Sequence, residues 1–286
     1  MKCVRCLLIF GLCLLCFSNE TQAVPTTNGL YACFNTSMGT FYCVLRYDLV
    51  PRTVGNFVSL ADGTKQWLDY SKAAVVQRPF YSGLTFHRVV TNFVIQCGSP
   101  NGVGNDDPGY RFKDEIVSNL NNDQAGVLAM ANSGTNSNGS QVYVTLSPQL
   151  SLDGHYSVFG QVVEGMNVVS NIGSVAVDAN SKPLVPVIIT NITILRIGTV
   201  ASNFNADAVS PPLPNPHVKA DQIQLQEPHL LLLWNQLANY DYRICYTGDF
   251  QVWRGFYIGA FAGRYMDDFR ATFPFQFFVT FETNID

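Results

Sequence analysis

Between Leu30 and Tyr47, apolar positions alternate on both sides of Met38-Gly39, the period of two that a half-buried β-hairpin imposes. The period changes after Pro51. Val54, Phe57, Val58 and Ala61 recur at helical spacing, with Pro51 suited to the first helical position and Gly63 to the stop. Residues 64–83 are polar and turn-rich and predict a connection. Strands are expected at 127–131, 141–146, 156–163 and 185–197, with a short helix after Gly165 carrying Val168, Val169 and Ile172. Many short strands and few helices predict a mainly β domain, a closed antiparallel barrel.

One apolar stretch is interrupted by polar side chains. Phe86-His87-Arg88-Val89-Val90-Thr91-Asn92-Phe93-Val94-Ile95-Gln96 sets an arginine and a glutamine among β-branched and aromatic residues. In a regular strand Arg88, Val90, Asn92, Val94 and Gln96 share one face. A bend near Thr91-Asn92 brings Phe93 to the Arg88 side. Alone, the segment reads equally as a surface arginine beside an edge-strand glutamine. His87 is expected to face inward as a hydrogen-bonded core histidine, and Asp106 and Asp107 to cap or solvate a Gly-rich turn.

The composition shifts near Thr199. Residues 199–220 contain Pro211, Pro212, Pro214 and Pro216 among small polar neighbours, the chemistry of a semi-rigid linker. Strands are expected beyond it at 223–226, 229–234, 242–246, 250–258 and 275–281. The expected division is a signal peptide at 1–23, a main domain at 24–198, a Pro-rich linker at 199–220 and a small β-rich C-terminal extension at 221–286. Its aromatic strands form a core of their own, cover a barrel edge or dock a partner, and packing on the barrel is the expectation.

The leader follows from charge and hydropathy. Lys2 and Arg5 precede an apolar run from Leu7 to Phe17, and Thr21-Gln22-Ala23 supplies a small-x-small cleavage site, so the exported chain begins at Val24. The run is too short for a spanning segment. Cys16 admits a lipid-anchored alternative, but Leu15 before it is bulky for such a site. Export to the periplasm or the exterior is the expectation. The chain is 47% hydrophobic and 13% charged with a formal net charge of -4, and it has no basic stripe, which argues against nucleic acid as a partner.

Four of the eight cysteines lie in the leader. Cys33 and Cys43 flank the Met38-Gly39 turn almost symmetrically, compatible with a disulfide across the hairpin, which leaves Cys97 and Cys245 as a second pair. Four inert buried thiols are the alternative. No C-x-x-C spacing or neighbouring histidine suggests a metal, and no cofactor is implied.

Two further segments change the weight of Arg88. Gly126-Val127-Leu128-Ala129-Met130-Ala131-Asn132 leads through a Ser/Asn-rich loop to Gln141-Val142-Tyr143-Val144-Thr145, and Leu152-Asp153-Gly154-His155-Tyr156-Ser157-Val158-Phe159-Gly160 follows. In this order the phrases F-H-R-V-V-x-x-F-V-I-Q, M-A-N-S-G-x-N-S-N-G-S-Q and L-D-G-x-x-S-V-F-G resemble the cyclophilin-type peptidyl-prolyl cis-trans isomerases, over about residues 29–197. Each phrase is weak alone; their order and spacing together are specific.

The resemblance implies an eight-stranded barrel capped by two helices, with an external groove for X-Pro segments. It implies Arg88 as the catalytic residue, donating to the prolyl nitrogen in the twisted state. It implies Phe93, Val94, Tyr143 and Leu152 as the proline pocket, Ala131 and Tyr156 as groove wall, and Gln96, Asn132 and Gln141 as backbone-binding groups. Clients would be X-Pro segments of unfolded or exported polypeptides. Asp107-Pro108-Gly109-Tyr110-Arg111-Phe112 reads like bacterial members. Val94 stands where the family usually has methionine, Tyr156 where a histidine is frequent, and Ser151 where many members carry tryptophan. Val94, Ser151 and the unusual tail leave room for a second function, a non-catalytic proline-peptide-binding or envelope-scaffolding protein on the same barrel.

Overall fold

A computed structural model describes residues 22–72 and 74–211 with their side chains, and beyond them the backbone of seven strands. The leader before residue 22 lies outside the described residues.

The first hairpin pairs β1 (Gly29–Thr36) with β2 (Gly39–Leu45). Helix α1 (Pro51–Asp62) follows, and Gly63 ends it at φ +76, where an added Cβ would lie 2.4 Å from the Pro79 nitrogen. No side chain at Val50 caps its start. Glu115 does so from a distant loop, accepting from the Arg52 and Thr53 backbone N–H groups at 3.3 and 2.6 Å and from Thr53 Oγ1 at 2.7 Å.

Next come β3 (Gln66–Asp69) and β4 (Ala74–Gln77), an antiparallel pair where a plain connection was expected. Trp67 is buried beneath it, donating to the Arg78 carbonyl at 3.0 Å. The domain continues with β5 (Arg88–Val90), β6 (Val94–Cys97), β7 (Val127–Met130), β8 (Val142–Thr145), a single 3-10 turn at Leu150–Leu152, β9 (Val158–Glu164), α2 (Met166–Ile172) and β10 (Ile189–Ile197).

Eight strands form one antiparallel sheet in the order β10-β1-β2-β9-β7-β8-β6-β5. The sheet does not close into the expected barrel: β5 and β10 remain its two ends. The segments before them meet instead, through Gly83 N–H to the Ile189 carbonyl, Ile189 N–H to that of Leu84, Phe86 N–H to that of Val187, and Val89 N–H to that of Ser181. Pro183 and Pro186 have no N–H to donate in this stretch, so a regular ladder is not sustained, and β10 starts later than the apolar pattern suggested.

Inside the curved sheet, Phe34 stacks on Phe41 at 4.6 Å between ring centroids, and Phe57 of α1 meets Tyr81 and Phe159 at 5.2 and 5.3 Å. Cys43 shares this core. It lies opposite Ala32, whereas Cys33 lies opposite Tyr42, so the two cysteines project from opposite faces of the hairpin and are free thiols. The hairpin disulfide is therefore absent. Cys97 is also a buried free thiol, and burial raises the pKa of both Cys43 and Cys97. The other expected partner, Cys245, lies where no side chain is described.

The segment from Thr199 onward, expected as linker, begins with two short helices. These are α3 (Thr199–Ser202) and α4 (Ala206–Val209). Ala201 and Ala206 are buried, the Phe204 ring meets Tyr47 at 5.2 Å, and Gly55 gives α1 room for Val209. Lys65, 3% exposed, lies 4.6 Å over the Tyr110 ring and donates to the Pro211 carbonyl. Burial lowers its pKa to about 7 against the pull of Asp207.

Beyond Pro211, β11 (Asn215–His217), β14 (Tyr240–Thr247), β15 (Arg254–Tyr257) and β17 (Phe277–Asn284) form one sheet, and β12 (Gln222–Gln226), β13 (His229–Leu233) and β16 (Arg264–Asp267) another. Among the described residues no helix is long and apolar enough to cross a membrane.

Candidate active site

The apolar run around Arg88 is not one strand. Residues 91–93 turn, with Asn92 at φ +60 and the Phe93 N–H donating to the Val90 carbonyl at 3.0 Å. Asparagine tolerates this left-handed conformation better than the β-branched residues around it. The turn folds β5 back on β6 and sets Arg88 opposite Gln96 and Val90 opposite Val94. Directly opposed residues in an antiparallel pair project to the same side, so Arg88 and Gln96 are neighbours. Arg88 Nη1 donates to Gln96 Oε1 at 3.4 Å, and the guanidinium carbon stands 5.7 Å from the Phe93 ring centroid. The bend weighed from sequence is the arrangement present.

Alternation then builds a second apolar cluster on the face away from the main core. Ile95, Val144, Leu128 and Phe159 point inward, while Val94, Tyr143, Val127, Ala129 and Val158 form a separate buried group. Phe93, Ala131, Leu152, Tyr156 and Leu120 pack against it as partly buried neighbours. The six expected apolar groove residues, Phe93, Val94, Ala131, Tyr143, Leu152 and Tyr156, thus come together. Sequence reasoning missed Val127, Ala129, Val158 and Leu120 as contributors. The first three had been assigned to strands without a face, and the alternation within those strands was the available signal.

A buried polar anchor holds the cluster. Tyr143 and Tyr156 meet edge to face at 5.8 Å, and Tyr143 Oη donates to Asn122 Oδ1 at 2.8 Å. Asn122 is fully buried, and its N–H and Nδ2 donate to Asp153 Oδ1 at 2.7 and 3.1 Å, tying the L-D-G turn to the loop before β7. Burial raises the Tyr143 pKa, so the phenol remains a donor. Asn122 and Asp153 were also missed as supports; an isolated asparagine carries no spacing signal.

The polar residues form a chain. Gln96 Nε2 donates to Gln141 Oε1 at 2.9 Å, and Gln141 Nε2 donates to the carbonyls of Gly104 and Asp106 at 3.0 and 2.9 Å. These groups border a cavity of about 120 Å3 that Ala131 and Asn132 also line. Asn132 donates to the His155 carbonyl in the loop before β9 at 3.2 Å and accepts from the Gly134 N–H of its own loop at 3.3 Å. His87 is buried, as expected, but neither ring nitrogen makes a hydrogen bond of ordinary geometry. Burial lowers its pKa to about 4, opposed by the nearby Gln141 amide and reinforced by Arg88 and Lys182, so the ring is neutral above that pH.

Chemically, this is a guanidinium beside an apolar cluster, flanked by amides. It suits a substrate with one compact apolar ring and an exposed peptide backbone, and it presents a donor without a nucleophile. The model of the cyclophilin type peptidyl-prolyl cis-trans isomerase/CLD family matches residues 31–194, over half of the chain. The chain belongs to this family of isomerases.

Among its relatives, a probable peptidyl-prolyl cis-trans isomerase A from Mycobacterium leprae is 41% identical over 165 residues, 57% of this chain and 91% of that protein. A peptidyl-prolyl cis-trans isomerase-like 1 from Rhizopus delemar is 42% identical over 151 residues, 52% of this chain and 82% of that one. The crystal structure of a cyclophilin type isomerase from Cryptosporidium parvum superposes with a TM-score of 0.52 at 28% identity, covering 59% of this chain and 98% of that one. The same protein has been solved in the presence of the dipeptide Ala-Pro.

Tyr143→Phe keeps the ring packing and leaves buried Asn122 Oδ1 without its phenol donor. The expected loss of stability is about 1–3 kcal/mol, read from urea unfolding midpoints. An unchanged midpoint would remove this hydrogen bond from the support of the groove.

Proposed function

We propose that the chain accelerates cis-trans rotation about X-Pro bonds of exported polypeptides, with Arg88 as the electrostatic catalyst. The barrier is the loss of amide resonance, ~18–20 kcal/mol, and it needs neither a nucleophile nor a metal. As the bond twists, the prolyl nitrogen becomes pyramidal and regains its lone pair. A donor aimed at that nitrogen stabilises the twisted state more than either planar isomer, which is differential binding of the transition state. The observation that carries this reading is the Arg88 guanidinium held between the Phe93 ring and Gln96 Oε1, at the border of the Val94–Tyr143 apolar cluster.

In this reading Phe93, Val94, Tyr143 and Leu152 receive the proline ring, with Ala131 and Tyr156 beside them. Val94 makes the hollow shallower than methionine would, and the Tyr156 ring, at right angles to Tyr143, keeps an aromatic wall. Gln96 and Gln141 present amides to the peptide backbone, and Asn132 presents its main chain. The planar guanidinium keeps its direction where a lysine ammonium would swing. Export rests on the basic start, apolar run and Thr21-Gln22-Ala23 site of the leader.

Arg88→Ala should lower kcat/KM for an X-Pro peptide roughly 100-fold or more in a protease-free isomerisation assay. Equal activity in the variant would exclude Arg88 from the mechanism, and inactivity of both proteins with retained peptide binding would favour the scaffolding function. Mass spectrometry of the mature protein from its natural host should find Val24 at the N-terminus. An intact leader would refute export by this route.

A further inference from the structure

The polar chain that ends at Arg88 begins in the loop of residues 99–107, and its direction is set there. Both protons of the Gln141 amide go to the loop carbonyls of Gly104 and Asp106. Gln141 can then present only its oxygen to Gln96. Gln96 must spend its NH2 on that oxygen at 2.9 Å, which turns its own oxygen toward the Arg88 guanidinium. Were Gln141 to flip, Gln96 would flip with it and face Arg88 with an NH2 group, a donor against a donor. Two loop carbonyls thus decide whether Arg88 has an acceptor beside it.

The loop owes its shape to one carboxyl group. Asp106 Oδ2 accepts from the Asn101 N–H at 2.6 Å, and Asp106 Oδ1 makes a short contact with Ser99 Oγ. Ser99 is buried, and its hydroxyl also accepts from the Gly104 N–H at 2.9 Å and contacts Asn101 Oδ1 at 2.9 Å. The orientation of Asn101 is fixed, since its oxygen takes the Val103 N–H at 2.9 Å and its NH2 donates to Asn105 at 2.7 Å.

Counting protons exposes a deficit. Two oxygen–oxygen contacts converge on Ser99 Oγ, and a serine hydroxyl has one proton to place in them. A proton on Asp106 fills the second contact. The protonated acid donates to Ser99 Oγ, and Ser99 donates onward to Asn101 Oδ1; the ionised acid leaves one contact without a hydrogen.

We propose that Asp106 is a positioning residue whose protonated carboxyl clasps the 99–107 loop and, through Gln141 and Gln96, orients the acceptor for Arg88. This inference rests on the role assigned to Arg88 above. Burial and the neighbouring Asp107 push the Asp106 pKa up to about 6, against the hydrogen bonds that Ser99 and Asn101 give to its ionised form.

Among the described residues, few charges face the loop. Asp107 pairs with Arg111 at 3.2 Å and accepts from Tyr70 at 3.0 Å. His87, beneath Gly104, is neutral above about pH 4. Across the cleft on the far side, Asp69 is bound by Arg78 and Lys72 at 3.1 and 3.5 Å. The sign follows from the raised pKa: the clasp favours the protonated acid, is complete below the ordinary aspartate pKa of about 4, and is lost as pH rises through about 6.

The test compares the full-length protein with Asp106→Asn, whose carboxamide can donate to Ser99 and accept from Asn101 as the protonated acid does. In the wild type, kcat/KM for an X-Pro peptide should fall about three- to tenfold between about pH 5 and pH 7.5, with the loss in kcat. Asp106→Asn should hold the acid-limb value throughout. The side-chain amide resonances of Gln96 and Gln141 should titrate with the same midpoint in the wild type and stay fixed in the variant. Identical pH profiles in the two proteins, or glutamine amide resonances that do not move through the titration, would overturn the proposal. The amide readout is independent of turnover, so a failure of the Arg88 mechanism, seen as an unimpaired Arg88→Ala enzyme, remains distinguishable from a failure of the clasp.

Discussion

The site depends on a turn of three residues. Thr91, Asn92 and Phe93 reverse the chain with Asn92 in the left-handed region, and the reversal sets Arg88 directly across from Gln96. A continuous strand of the same sequence would carry the two side chains eight residues apart, a separation of about 27 Å at 3.4 Å per residue. The turn also swings Phe93 to the guanidinium side, giving the cation an aromatic face and the Val94–Tyr143 cluster one of its neighbours. A local backbone requirement at one asparagine therefore fixes the relation between the charged and apolar halves of the site.

The sheet supplies the rest by having two apolar faces. Its inner face closes over Phe34, Phe41, Phe57 and Phe159, and part of its outer face carries the Val94–Tyr143 cluster. An outer apolar patch in an antiparallel sheet ordinarily invites association. Here the patch is small and rimmed by amides, and Asn122 pins its aromatic member from behind. The amide groups have a fixed sense because the Gln141 NH2 is committed to two loop carbonyls and the Gln96 NH2 to the Gln141 oxygen. That commitment lets the shape of the loop after β6 reach Arg88 without movement of the sheet.

Much of this was legible in the chain. Alternation around Met38-Gly39 and the Pro51 and Gly63 punctuation located β1, β2 and α1 because each feature has a local physical cause. That Phe93, Val94, Ala131, Tyr143, Leu152 and Tyr156 come together was legible through three ordered phrases, although alternation alone could not tell an outer apolar face from core. What escaped depends on partners distant in sequence. The β3–β4 pair has strands of four residues, with Val75 and Val76 only half buried, too little for a periodic signal. The helices at Thr199–Ser202 and Ala206–Val209 look like linker until Gly55 of α1 is seen to make room for them. Symmetric spacing about a turn suggested a Cys33–Cys43 bond, but register decides facing, and an offset of one residue puts the two thiols on opposite sides.

The central claim is that the Arg88 guanidinium stabilises the twisted amide rather than the bound substrate. Exchange NMR on an X-Pro peptide, with wild type and Arg88→Lys, measures binding and interconversion in one experiment. The account predicts that the lysine variant binds the peptide with nearly unchanged affinity while on-enzyme interconversion slows by about tenfold or more, because the charge remains and its fixed direction is lost. Weaker binding with an undiminished interconversion rate would contradict it.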